Sequence, residues 1–187
     1  DAGLTIEHTT DRKQALPGAE FVITAVAVRR AELWKLDWQI PLKHGIKHIF
    51  AENGGPGGLS HALRNIPIML DIARDVEKLA PNALLLNFTN PESRVCLAIS
   101  RYTNLRFVGL CHGIGMAYYS IGKMTGIPFT DLEAIAAGLN HFSWVLDVRR
   151  RSTKEDVYPL LKEADATYDP AYLPLTRHLF RRYGLYP

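Results

Sequence analysis

Two hydrophobic patterns alternate along this chain: short continuous apolar runs, and apolar stripes recurring every three to four residues. Residues 20–26, Glu20-Phe21-Val22-Ile23-Thr24-Ala25-Val26, form one such run, rich in β-branched side chains. A run of this kind predicts a buried strand of a parallel sheet. A short helix is expected over 11–16, broken by Pro17-Gly18. Residues 31–44 read as a helix with Leu33, Leu36 and Ile40 on one face. A glycine-rich loop, 51–58, leads into a long helix ending near Leu79. Its core face is Ile66, Met69, Leu70, Ala73 and Val76, and Pro67 implies a kink or a late start. Strands at 83–88 and 106–110 then alternate with helices at 91–102 and 116–123.

Strand, helix, strand, helix is the signature of βαβ units, so the fold class is α/β with a parallel sheet. The pattern changes near Asp131. Residues 140–148 alternate (Phe142, Trp144, Leu146, Val148), as an antiparallel strand with one buried face does. Two domains are therefore expected, 1–130 and 131–187, the second the beginning of a mixed α+β domain. A short basic helix is expected over 176–183. No internal repeat or low-complexity segment occurs.

Composition changes this picture little. The 187 residues are 47% hydrophobic and 22% charged, ordinary for a globular chain. A net charge of +3 is too mild to argue for nucleic acid. Arg149-Arg150-Arg151 reads as a solvated strand end without interleaved aromatics. No apolar run approaches the ~20 residues that span a bilayer, so no membrane role is expected. Two cysteines, Cys96 and Cys111, make no disulfide framework and suit a reducing, cytoplasmic compartment. Cys96, in an apolar helical stretch, reads as a small buried hydrophobe. Asp1-Ala2-Gly3-Leu4 is not a signal peptide and lacks an initiator Met, and Tyr183-Gly184-Leu185-Tyr186-Pro187 stops without a polar tail. Both ends read as internal to a longer protein.

Candidate chemistry gathers at element boundaries, where open α/β sheets build their sites. Gly54-Gly55-Pro56-Gly57-Gly58 precedes a helix and would let backbone amides approach a phosphate or sugar, but it is not a GxGxxG fingerprint. The competing reading is a flexible turn with a helix cap. Asn87 and Asn90 flank a strand end, and Pro91 holds Asn90 out of the helical region. An Asx turn capping the next helix would explain them equally. Cys111 and His112 follow the next strand, and His141 follows Asn140. A soft thiolate and an imidazole suit a divalent transition metal, but two donors at wide spacing are a weak signal by themselves.

Taken together, four segments resemble glycoside hydrolase family 4, the NAD- and metal-dependent glycosidases. They are Gly54-Gly55-Pro56-Gly57-Gly58 with Arg64-Asn65-Ile66-Pro67, then Asn87-Phe88-Thr89-Asn90-Pro91, then Gly109-Leu110-Cys111-His112-Gly113, then Gly138-Leu139-Asn140-His141. They occur in family order and cover most of 22–144. The resemblance implies a Rossmann-like parallel sheet of the lactate and malate dehydrogenase type. It implies hydrolysis by an unusual route: NAD⁺ takes a hydride from C3 of the sugar, a base removes the acidified C2 proton, and the glycosidic oxygen leaves. Water then adds and hydride returns, an exception to the two-carboxylate mechanism. The resemblance also assigns roles. Cys111 and His141 would bind Mn²⁺. Asn90, Asn140 and Arg64 would meet the sugar. Thr24, Ala25, Val26 and Asn87 would line the cofactor, and His112 would be the acid for the leaving oxygen. Family members are homodimers or homotetramers. The Cys-His pairing is closer to the α-glucosidase, α-galactosidase and α-uronidase branches, so an α-glycoside is expected, uronides included. Arg29, Arg30 and Arg64 would meet a carboxylate or phosphate, or are ordinary surface charge.

The chain departs from the family at both ends. The family's glycine fingerprint would precede residue 1, and the C2 base would follow Pro187, so weak NAD affinity and doubtful isolated activity are expected. Two alternatives stand beside the glycosidase. A lactate- or malate-type dehydrogenase would share the sheet but has no use for Cys111. An inactive fragment would only oligomerise or bind nucleotide.

Overall fold

The computed structural model describes residues 3–50 and 52–187. Asp1 and Ala2, from the segment read against a signal peptide, and Ala51, the first residue of the expected glycine-rich loop, lie outside the described residues. The chain divides into two compact units, 1–110 and 111–187. The sequence placed its domain boundary at 130/131 instead. The difference concerns the helix after Cys111, which packs against elements of the second unit.

The first unit holds α1 (Arg12–Ala15), β1 (Phe21–Thr24), α2 (Arg30–Lys43), α3 (Gly55–Leu79), β2 (Leu84–Asn87), α4 (Glu92–Tyr102) and β3 (Arg106–Gly109). The strands form a parallel sheet in the order β1-β2-β3. Their registers align Thr24, Asn87 and Gly109 side by side at the carboxyl edge. The core is the stripe Met69, Ala73 and Val76 of α3, packed with Leu85 of β2 and with Val95 and Ile99 of α4. Two expectations are corrected. β1 is buried on one face only: Phe21 and Ile23 are exposed, so no described element covers their face. The expected apolar face of α2 is also turned out: Leu36 and Ile40 are exposed, and the helix buries Asp37 and Pro41. Periodicity identifies a face but not what covers it.

α3 runs unbroken through Pro67, which lies on its exposed side. The helix begins at Gly55, so the second half of the expected glycine loop, 55–58, is its first turn.

The second unit holds α5 (Gly113–Thr125), a turn of 3₁₀ helix (Phe129–Asp131), β4 (Leu132–Leu139), β5 (Phe142–Arg150), α6 (Tyr158–Thr167) and α7 (Pro174–Tyr183). β4 and β5 form an antiparallel hairpin whose two-residue turn is Asn140-His141. The sequence reading found β5 but not β4. Leu132-Glu133-Ala134-Ile135-Ala136-Ala137 has helix-favouring composition, and pairing with β5 overrides that local preference. It also missed α6. Ile121, Leu132, Val145, Val148, Leu161, Phe180 and Tyr186 make this unit's core. Asp165 of α6 ties down α7, accepting from Arg177 Nε at 2.5 Å and from Arg181 Nε at 2.6 Å.

Candidate functional site

In the first unit, a polar cluster occupies the carboxyl edge of the sheet. Asn87 is fully buried, and its Oδ1 accepts from Thr24 Oγ1 at 3.0 Å and from the Thr89 N–H at 3.1 Å. Its Nδ2 donates to the Thr89 carbonyl at 3.2 Å. Thr89 Oγ1 accepts from the Val26 N–H at 2.9 Å, which pins the end of β1 to the turn after β2. Asn87 and Thr24 thus spend their polar groups inside the fold, while Ala25 is exposed and Val26 half-buried at the same edge. Side chains of α4 crowd Gly109 closely. A Cβ there would lie 2.6 Å from Cys96 Sγ and closer still to the Glu92 carboxylate.

Asn90 lies one step beyond this knot, before a cis peptide to Pro91. Its Nδ2 donates to Glu52 Oε1 at 2.9 Å, and its Oδ1 accepts from the Glu92 N–H at 3.3 Å. An amide has two N–H groups and two acceptor lone pairs. One donor and one acceptor of Asn90 therefore have no partner among the described residues, the complement of a ligand hydroxyl. Its carbonyl accepts from Asn65 Nδ2 at 2.6 Å. Arg30 Nη2 is 3.4 Å from the same Glu52 oxygen. Arg64 does not join this group. It is paired with Asp37, Nη1 to Oδ1 at 2.9 Å, and also donates to Ser60. Arg29 pairs with Glu32 beside it.

Cys96 is half-buried rather than fully buried. Burial and a hydrogen bond to Glu92 push its thiol up to about 12, so it is inert as a nucleophile at neutral pH.

In the second unit, Cys111 Sγ and His141 Nε2 stand 3.4 Å apart. Both residues are exposed, and His112 is exposed at the N-cap of α5. His141 owes its place to the hairpin tip, where it takes a left-handed conformation, φ 58°. Gly138 makes the tight crossing possible: a Cβ there would meet the Phe142 carbonyl oxygen at 2.5 Å and Ser143 Cα at 2.6 Å. The buried Oδ1 of Asn140 has no partner among the described residues. Metal–sulfur and metal–nitrogen bonds of ~2.3 and ~2.1 Å at angles between 90° and tetrahedral separate the two donors by roughly 3.1–3.6 Å. The observed separation falls inside that window, so the pair fits two adjacent positions around one divalent ion. Among the described residues no group of three or more His, Cys, Asp or Glu gathers in this way. A metal held here keeps open positions for other ligands.

The sequence reading did not single out Glu52, His61, Asn65 or Thr89. A signal for two of them was present: His61 and Asn65 extend the Met69–Ala73 core stripe of α3 by whole turns, so they are polar residues at core positions.

The sequence model described as "Family 4 glycosyl hydrolase" matches residues 1–126, and that of the family's C-terminal domain matches 136–187. An alpha-glucosidase of Erwinia rhapontici is 46% identical over 160 residues, 84% of this chain and 35% of the relative. An alpha-galactosidase of Bacillus subtilis is 37% identical, covering 85% of this chain and 37% of its own length. A 6-phospho-beta-glucosidase of Escherichia coli is 42% identical, covering 78% and 32%. The chain thus spans about a third of the length of the curated relatives it matches. Among solved structures, the 6-phospho-beta glucosidase of Thermotoga maritima, in a form with manganese, NAD⁺ and glucose-6-phosphate, superposes with a TM-score of 0.75 at 27% identity. That alignment covers 95% of this chain and 43% of the other. A 6-phospho-alpha-glucosidase from gut microorganisms shares the fold, with a TM-score of 0.80 at 24% identity over 94% of this chain and 43% of the other.

Proposed function

The chain belongs to family 4 of the glycosyl hydrolases, and from that premise we propose that it carries the Rossmann-like part and the start of the catalytic part of an NAD- and Mn²⁺-dependent glycosidase. The whole protein would cleave O-glycosidic bonds by oxidation at C3, loss of the C2 proton and elimination, followed by addition of water and return of the hydride to C3. The observation that carries this reading is the Cys111–His141 pair, 3.4 Å apart and exposed at the hairpin tip. A lactate- or malate-type dehydrogenase has no use for a thiolate there.

Bound NAD⁺ supplies the hydride acceptor, and bound Mn²⁺ supplies a Lewis acid for the oxygens at C2 and C3. The residues of this chain do the rest of what is assigned to it. Cys111, as thiolate, and His141, through Nε2, hold the metal. The free N–H and lone pair of Asn90 orient a sugar hydroxyl, and the unpartnered Oδ1 of Asn140 accepts from another. His112 is the proton donor to the leaving oxygen, suited to it by its exposed place at the N-cap of α5. Thr24, Ala25 and Val26 shape the cofactor edge. Asn87 and Arg64 serve as supports, because their hydrogen bonds are taken up within the fold.

The substrate class is α-glycosides, uronides included. The Cys111-His112 sequence supports this, as do relatives named alpha-glucosidase and alpha-galactosidase. The reading includes a homodimer or homotetramer, supported by exposed Leu36, Ile40, Leu59 and Leu63, and a cytoplasmic location. No described helix is long and apolar enough to cross a membrane. Nucleic acid is not a partner in this reading. Arg149 and Arg150 are taken by carboxylates and Arg151 by the Leu132 carbonyl.

The test is isotopic. The protein carrying this chain is given an α-glycoside in D₂O with NAD⁺ and Mn²⁺, and the released sugar is read by NMR. Deuterium at C2, with turnover abolished by omitting NAD⁺, is the expected result. Hydrolysis without NAD⁺, or with C2 fully protonated, overturns the mechanism.

A further inference from the structure

The core stripe of α3 changes character along its length. Toward its C-terminal end it is Met69, Ala73 and Val76, all apolar and buried. Toward its N-terminal end the same stripe carries Asn65, 1% exposed, and His61, 8% exposed. Burying an amide and an imidazole is unfavourable unless both find partners, and apolar residues at these positions would pack without that cost. The partners show what the change achieves. Asn65 Nδ2 donates to the Asn90 carbonyl at 2.6 Å. His61 lies close to the Glu52 backbone, and its Nδ1, like Asn65 Oδ1, is buried with no partner among the described residues. Glu52 and Asn90 then meet each other, Nδ2 to Oε1 at 2.9 Å. Asn65 and His61 are one helical turn apart, so one rigid helix face holds both ends of this contact.

We propose that His61 and Asn65 are positioning residues that hold the Asn90 side-chain amide against the Glu52 carboxylate, leaving one amide N–H and one lone pair of Asn90 aimed for a ligand hydroxyl. The proposal rests on the reading that Asn90 meets the sugar. Without the α3 clamp, Asn90 rotates about its side-chain bonds and the hydroxyl loses a pre-set partner. Arg30 Nη2 approaches the same carboxylate oxygen, Glu52 Oε1, at 3.4 Å. Glu52 is otherwise shielded, at 9% exposure.

The test reads the Asn90 carboxamide protons by ¹⁵N NMR, in the parent chain and in His61→Leu, His61→Gln, Asn65→Ala and Asn65→Asp, with melting temperature as the control for folding. His61→Gln keeps a side-chain donor, and Asn65→Asp keeps shape while losing the donor. We expect Asn90 proton exchange to rise at least tenfold in His61→Leu, Asn65→Ala and Asn65→Asp and to stay parental in His61→Gln. Unchanged exchange in the folded leucine and alanine variants overturns the proposal. So does equal acceleration in His61→Gln and His61→Leu, which a purely structural role would give. If the leucine and alanine variants do not fold, the near-isosteric pair decides: parental exchange in Asn65→Asp overturns it. Methyl α-glucoside is then titrated against the parent. A parent whose Asn90 amide exchanges as expected but does not respond to the sugar contradicts the sugar reading and leaves the clamp standing.

Discussion

Single residues in this chain do their work through neighbours that hold them in one state. Burial lowers the pKa of His61, the nearby Arg64 guanidinium lowers it further, and the Glu52 and Asp37 carboxylates oppose the shift. The sign follows directly. The folded chain binds the His61 proton less well than the unfolded chain, whose ordinary value is 6.5. The stability that neutral His61 contributes is therefore complete above about pH 6.5 and is lost as pH falls through the depressed value. Thermal melting between pH 7.5 and 5 should show a decline that is weaker in His61→Gln, and parallel declines in the two proteins would contradict this account of His61. At this scale the sequence was informative only where a residue type is unusual for its place. Cys111 and His141 were expected as a donor pair only through the family resemblance, since two donors at wide spacing are a weak signal by themselves. Glu52 was not, because an acidic residue beside a glycine-rich turn is common and only the tertiary contact to Asn90 distinguishes it.

Elements decide whether such residues meet. The hairpin of β4 and β5 brings His141 to a two-residue turn, and Gly138 lets the strands cross at a separation that no Cβ would permit. At Gly138 φ is 144°, a conformation side chains rarely adopt. Gly138→Ala should therefore destabilise the second unit by about 1–3 kcal/mol through strain and overpacking. Urea unfolding followed by Trp144 fluorescence is the measurement, and a loss below ~0.5 kcal/mol would show that the crossing relaxes freely. The β-α alternation of the first unit was legible because parallel strands buried in a sheet are continuous apolar runs. β4 was not, because its Ala- and Leu-rich stretch carries no period-two pattern and takes its strand state from its partner. The faces of α2 were misassigned for a related reason. Its apolar residues do follow helical spacing, yet the buried side carries Asp37, paired to Arg64 of α3.

For the whole molecule, the family was readable in four short segments, and with it a parallel Rossmann-like sheet. The division of the chain at 110/111 was not, since it depends on which unit α5 packs with. The central claim is that Cys111 and His141 form one metal position in a glycosidase of family 4. The most direct measurement is Mn²⁺ binding to this chain under anaerobic, reducing conditions, followed by electron paramagnetic resonance and thermal shift in the parent, Cys111→Ser and His141→Ala. Binding to the native state raises its melting temperature, and more so as the ion concentration exceeds the Kd. The account predicts that Mn²⁺ stabilises the parent and neither variant, with the free-ion signal lost only in the parent. Equal Mn²⁺ binding by all three proteins, or binding by none, would contradict it.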